Sequence, residues 1–267
     1  MTHADGVIKN AWKRSTRVMW SRTPNGKAIV FVHGFKGGYT TWDGFPSRIL
    51  KEPSLDGYDI FFVEYEWADR AILTGSALKD FFDSLFNSPD KYFGNEFTRL
   101  NRQATPYTEL TIVAHSLGAI VTRFALLDAQ ALGLSWINST KMLLFAPAHL
   151  GADIITLGTD ALGVLGLFGV TAPALKIKYP SLIDLEHITT NTTLDSLRTK
   201  SQNLLNAGNG QFTIAKVVLF GTADKVVVPG QFCSDPPLRA IPSIGHTGIC
   251  KPTPTFDEPF QTLITYL

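Results

Sequence analysis

The sequence predicts an α/β protein with a mostly parallel central sheet and helices on both faces, and three observations carry that prediction. Short apolar, β-branched runs recur along the chain, each closed by glycine or another small residue. These runs do not alternate apolar with polar residues, which is how strands covered on both faces read. Stretches with helical spacing separate several of them, and strand–helix alternation gives a right-handed parallel arrangement. At 267 residues the chain can bury roughly three-quarters of its unfolded surface without disulfides or metal. No repeat or low-complexity linker divides it, so a single domain over 1–267 is expected.

Taken in order, Arg17-Val18-Met19-Trp20-Ser21-Arg22 and the turn Pro24-Asn25-Gly26 predict an antiparallel hairpin at the leading edge of the sheet. The first buried strand, 28–32, ends at His33-Gly34, and the second, 59–63, follows Gly57. A helix is expected around Leu78, Phe81, Phe82, Leu85 and Phe86, which share one face. Strand 110–114 runs into His115, and a second helix candidate covers 116–131. Strand 141–145 ends at Ala146-Pro147, and strand 215–220 ends at Gly221.

Segment 154–175 breaks the alternation. It has one charge, Asp160, and is long enough in residues to cross a bilayer. Asp160 and Pro173 interrupt it and it lies between two core strands, so an apolar cap over a cleft is the better reading. The cap or lid insertion is expected over 151–210. A lid that opens onto lipid and a plain cap core are both open readings.

Composition narrows the function. The chain is 45% hydrophobic and 18% charged, with a net charge of +1, which is globular and lacks the basic excess of a nucleic-acid binder. The basic N-terminal stretch with Trp12 and Trp20 reads as a solvated edge. Cys233 and Cys250 bracket His246 and are expected as free thiols. No Cys/His cluster has zinc-ligand spacing, and no phosphate-loop or dinucleotide motif is present, so neither metal nor cofactor is expected. Residues 1–20 lack the apolar core of a signal peptide, which makes a cytoplasmic location the expectation and leaves the sequons at Asn138 and Asn191 without meaning.

The chemistry concentrates at Ala114-His115-Ser116-Leu117-Gly118, where a buried strand meets a helix. A serine on that sharp turn has its hydroxyl pushed out above the sheet, and small residues two before and two after it let neighbouring backbone pass close. Gly118 meets that demand, while Ala114 carries one methyl where glycine is usual. Ser116 reads as a nucleophile, with an ordinary helix N-cap as the alternative. A serine nucleophile needs a base, and the base an orienting acid. Asp224 follows a late strand through a short turn, although a turn aspartate bonding its own backbone is the plainer reading. His246, between Gly245 and Thr247-Gly248, is the one histidine downstream of it. His187 and Asp184 are the reserve base and acid. Developing negative charge needs donors, each worth about 2.7–4 kcal/mol in serine enzymes. The backbone N–H groups of Phe35 and Leu117 are the candidates, with Tyr39, Trp42 and His149 as substrate-binding residues.

Together, His33-Gly34-Phe35, Ala114-His115-Ser116-Leu117-Gly118, Gly221-Thr222-Ala223-Asp224 and His246 resemble the α/β-hydrolase superfamily over nearly the whole chain. The first two elements and Ala146-Pro147-Ala148-His149-Leu150-Gly151-Ala152 look like the lipase and serine-esterase branch, including inositol-deacylase-like members. That resemblance implies an α/β-hydrolase fold and a Ser-His-Asp hydrolase without cofactor, often with a mobile cap. The expected function is a serine carboxylester hydrolase forming an acyl-enzyme on an apolar acyl or lipid ester. An acyltransferase, amidase or thioesterase using the same residues, or a non-catalytic binding protein on the same fold, are the alternatives.

Overall fold

The computed structural model describes residues 2–9, 14–157, 172–187 and 192–267. Much of the apolar segment, with Asp160, and the Trp12 and Asn191 positions lie outside the described residues. The described strands are β1 (His3–Lys9), β2 (Ser15–Ser21), β3 (Lys27–Val32), β4 (Tyr58–Val63), β5 (Glu109–His115), β6 (Thr140–Phe145), β7 (Val217–Gly221) and β8 (Arg239–Ile241). They form one sheet in the order β1-β2-β4-β3-β5-β6-β7-β8. The pairs β1–β2 and β2–β4 are antiparallel, and every pair from β4 to β8 is parallel.

One expectation is corrected here. The turn at 24–26 does connect β2 to β3, but the two do not pair, because β4 lies between them. The partner of β2 in the leading hairpin is β1, with Gly6 opposite Val18.

The helices include α1 (Phe45–Ile49), α2 (Ala71–Asn87), α3 (Pro89–Arg99), α4 (Leu117–Ala131), α5 (Ala172–Lys178), α6 (Thr192–Asn206) and α7 (Glu258–Thr265). Adjacent residues on β4 show that both faces are covered, since successive strand side chains point to opposite sides. Phe61 meets Trp20, Phe81 of α2, Phe93 of α3 and Tyr107 on one side. Phe62 stacks on Phe31 on the other side, in a cluster that continues through Phe45 of α1 to Phe260 of α7. Aromatic contacts of this kind are worth about 0.5–1.5 kcal/mol each beyond their buried area.

Helix α4 is buried along most of its length, between the sheet and α2. The two helices approach closely because α2 offers Gly75, where a Cβ would stand 2.6 Å from that of Phe124. Among the described residues no helix is long and apolar enough to cross a membrane.

This order sets the ends of β3 and β5 side by side, with Val32 in register with Ala114. The loop beginning His33-Gly34 and the turn at Ser116 therefore emerge together at the carboxyl edge of the sheet, where open α/β sheets hold their ligands.

Candidate active site

Ser116 sits between β5 and α4 with φ 53° and ψ −121°, a left-handed backbone that L-residues other than glycine rarely adopt. It stands at the N-cap position, yet its side chain makes no capping bond. Oγ instead lies 3.0 Å from Nε2 of His246. The imidazole Nδ1 lies 2.8 Å from Oδ2 of Asp224. With the proton assigned to Nδ1, that group donates to the carboxylate and Nε2 accepts from the serine hydroxyl.

Asp224 makes the contacts that both of its readings call for. Oδ1 accepts from the N–H of Val226 at 2.8 Å and of Val227 at 3.3 Å, which is the turn role. Oδ2 faces the histidine. Neither side chain meets much solvent, at 4% for His246 and 0% for Asp224. The carboxylate is thus fixed by three donors before any substrate arrives.

Close backbone approach frames the serine. A Cβ on Gly118 would stand 2.3 Å from the His33 carbonyl, and one on Gly34 would stand 2.8 Å from Cβ of Ser116. Glycine is therefore required at both positions. Ala114, where the sequence carries a methyl, is fully buried in β5 and fits without disturbing the turn.

Two histidines outside the trio brace these loops. His115 Nε2 donates to the His246 backbone carbonyl at 3.0 Å. His33 donates from Nδ1 to the Gly34 carbonyl at 2.8 Å and stacks on Tyr65, whose hydroxyl donates back to the His33 carbonyl at 2.7 Å. Burial pushes the His33 imidazole down to about 4 and holds His115 well below the usual histidine range. Both are neutral near pH 7.

Beside Ser116 Oγ lies a cleft of about 330 Å³. Among the described residues it is lined by the 34–37 loop, Thr40, Thr41, His115, Leu157, His246, Thr247 and Lys251. Phe35 lies in that loop, and its ring is held edge-on by Trp67 and Tyr179. Leu117 is the first residue of α4, so its N–H has no intrahelical acceptor and points out of the helix end.

The three substrate-binding candidates lie elsewhere. Trp42 is 1% exposed and packs against Phe31 at 4.9 Å, because the single 3₁₀ turn Tyr39–Trp42 rotates its side chain into the core. Tyr39 meets Phe62 edge-to-face and lies beneath the Arg17 guanidinium, leaving Thr40 and Thr41 of the same turn at the cleft. His149 is buried against Phe232 and accepts at Nε2 from Arg123 Nε at 2.9 Å. It belongs to a buried network rather than to the cleft. The reserve acid Asp184 is also structural. It accepts from the Ala71 N–H at 2.7 Å and from Arg70, and so caps α2. His187 packs beside Gly151, and it is His246 that reaches the serine. Cys233 and Cys250 are free thiols.

Lys36, Thr247 and Lys251 escaped the sequence reading. Adjacency was the available signal: Lys36 follows Phe35, and Thr247 follows His246. Among the described residues no group of three or more acidic, histidine or cysteine side chains is arranged to hold a metal ion.

No family sequence model and no curated relative matches the chain. Solved structures do. A Bacillus licheniformis lipase in its mature form aligns at 16% identity and TM-score 0.57, covering 91% of this chain and 93% of that one. Bacillus subtilis naproxen esterase aligns at 13% identity and TM-score 0.55, covering 99% and 92%. A peroxisomal α/β-hydrolase of Saccharomyces cerevisiae aligns at 10% identity and TM-score 0.55, covering 99% and 87%. The eight-stranded, mostly parallel sheet and these matches across nearly the whole length together establish that this chain has the α/β-hydrolase fold.

Proposed function

We propose that this chain is a serine hydrolase of carboxylic esters, with Ser116 as nucleophile, His246 as base and acid, and Asp224 as the orienting carboxylate. The observation that carries the reading is the continuous chain from Ser116 Oγ to His246 Nε2 at 3.0 Å and from Nδ1 to Asp224 at 2.8 Å. Structural matches to a lipase and an esterase support ester substrates.

Oγ attacks the ester carbonyl while Nε2 takes its proton, and the carbonyl electrons move onto oxygen. The Phe35 and Leu117 N–H groups receive that oxyanion. Collapse of the adduct expels the alkoxide, which takes the proton from Nε2 and leaves an acyl-serine. Water then attacks by the same sequence, releasing the acid and restoring Ser116. Asp224 holds the imidazole tautomer throughout and stabilises the transient imidazolium. From the expected cap segment, Leu157 stands at the inner edge of the cleft, whereas Thr192–Asn206 packs against α4.

A fluorophosphonate probe tests the reading. Labelling should occur on Ser116 and vanish in Ser116→Ala, along with hydrolysis of p-nitrophenyl acetate. Well-folded wild-type protein that takes up no label would return the chain to the class of binding proteins.

A further inference from the structure

The cleft beside Ser116 has a sharply one-sided chemistry. Its described lining residues include the apolar Phe35 and Leu157, the threonines Thr40, Thr41 and Thr247, and two lysines, Lys36 and Lys251. No carboxylate is among the described lining residues. Asp224 stands behind His246 with its oxygens already bonded.

The two lysines come from separate loops. Lys36 follows Phe35, and Lys251 comes five residues after His246, so the lining draws one basic residue from each of the two loops that meet at Ser116. Lys36 is exposed. Lys251 Nζ is 3.8 Å from Asp43 Oδ2, with the two side chains 43% and 61% exposed. A pair that open is worth little and leaves the ammonium available to a ligand. A concave site lined by one sign of charge concentrates ligands of the other sign.

We infer that the substrate is an ester bearing an anionic group, carboxylate or phosphate, a few bonds from the scissile carbonyl, and that Lys36 and Lys251 hold that group. The inference rests on the ester-hydrolase reading above and replaces the apolar acyl ester expected from the sequence. Tyr39 and Trp42, expected as substrate-binding residues, are not among the lining residues: Trp42 is buried against Phe31, and Tyr39 packs against Phe62. Ammonium and threonine groups instead offer donors that only an acceptor-rich ligand can use.

Two matched pairs test it on the full chain. One pair is the p-nitrophenyl hemiester of adipic acid against the same compound capped as its methyl ester. The other is 1-butyryl-glycerol 3-phosphate against 1-butyryl-glycerol. In at least one pair kcat/KM for the anion should exceed that of the neutral partner by about tenfold. The advantage should shrink as salt rises from about 0.05 to about 0.5 M. Lys36→Gln and Lys251→Gln should each cut the anion-to-neutral ratio several-fold, mainly through KM. The pair with the larger advantage identifies the anion as carboxylate or phosphate. Equal or better turnover of the neutral partner in both pairs overturns the inference and leaves the hydrolase reading standing. So does a ratio that neither variant moves. If no ester is turned over, protection of Ser116 from the fluorophosphonate decides. Stronger protection by monomethyl adipate than by dimethyl adipate supports the inference, and equal protection overturns it. A folded protein that takes no label defeats both readings.

Discussion

At Asp224, one oxygen is committed to the backbone and the other to His246, and that division makes a specific substitution informative. In Asp224→Asn the side-chain carbonyl would keep accepting the Val226 N–H, which lies 2.8 Å from Oδ1 in the native chain. The amide NH₂ would then face His246 Nδ1 and donate to it. That forces the imidazole proton onto Nε2, where it points at Ser116 and cannot receive the hydroxyl proton. Turnover should fall by about 10⁴-fold with folding preserved, as in the corresponding serine-protease substitution. Burst kinetics on a p-nitrophenyl ester, beside a melting curve of the variant, would measure both. A loss under tenfold would take the orienting role away from Asp224. The meeting of Ser116, Asp224 and His246 was legible in the sequence because Ser116 and Asp224 follow strand ends through turns that small residues allow, and His246 is the one histidine beyond Asp224. Trp42 was not. An aromatic residue near Phe35 looks the same on paper whether its 3₁₀ turn directs it to the cleft or to Phe31.

At the scale of elements, continuous apolar runs predicted β3 to β7 to within a few residues, because a doubly covered strand has no polar alternation to confuse it. The leading hairpin misread its partner. Turn chemistry at 24–26 fixes a reversal but not whether another strand inserts beside it, and β4 does. The three-residue β8 left no periodicity in the chain, and tertiary pairing decides it. Helix α3 did carry a helical signal, with Pro89, Phe93 and Phe97 spaced by four, which the sequence analysis did not use. A further feature invisible in sequence is the link from α4 to the loop after β7. Arg123, 1% exposed, bonds Asp235, the Thr213 carbonyl and His149, and Asp235 also accepts from the Ala215 N–H at 2.9 Å. This network ties the helix behind Ser116 to the segment that presents Asp224. Asp235→Ala would leave the guanidinium buried with its charge uncompensated, and breaking such a pair costs about 3–5 kcal/mol. A urea titration should show the midpoint lowered with little change in slope. A midpoint within experimental error of wild type would mean that the guanidinium finds another partner or water.

The whole molecule buries three imidazoles in forms that resist protonation, and this gives its stability a direction in pH. Burial lowers His33 to about 4, and His115 and His149 lie well below the usual histidine range for the same reason, His149 also beside the Arg123 charge. In the unfolded chain each titrates near 6.5. Between about 6.5 and 4 the unfolded state therefore binds protons that the folded state refuses, and stability must fall as the pH falls through that window. Above it these histidines are neutral in both states and contribute no slope. For His33 alone the span corresponds to roughly 3 kcal/mol, and the other two act in the same direction. The penalty lands on the loops around the serine, since His33 bonds the Gly34 carbonyl and His115 bonds the His246 carbonyl. Melting temperatures should be flat from pH 8 to 7 and should drop steadily from pH 6.5 to 4.5. His33→Gln, which keeps a donor for the Gly34 carbonyl, should make that drop shallower. Equal melting temperatures at pH 7.5 and pH 5 would show that these imidazoles are hydrated and free to charge inside the fold. In that case the bracing of the site by neutral histidines would have to be abandoned.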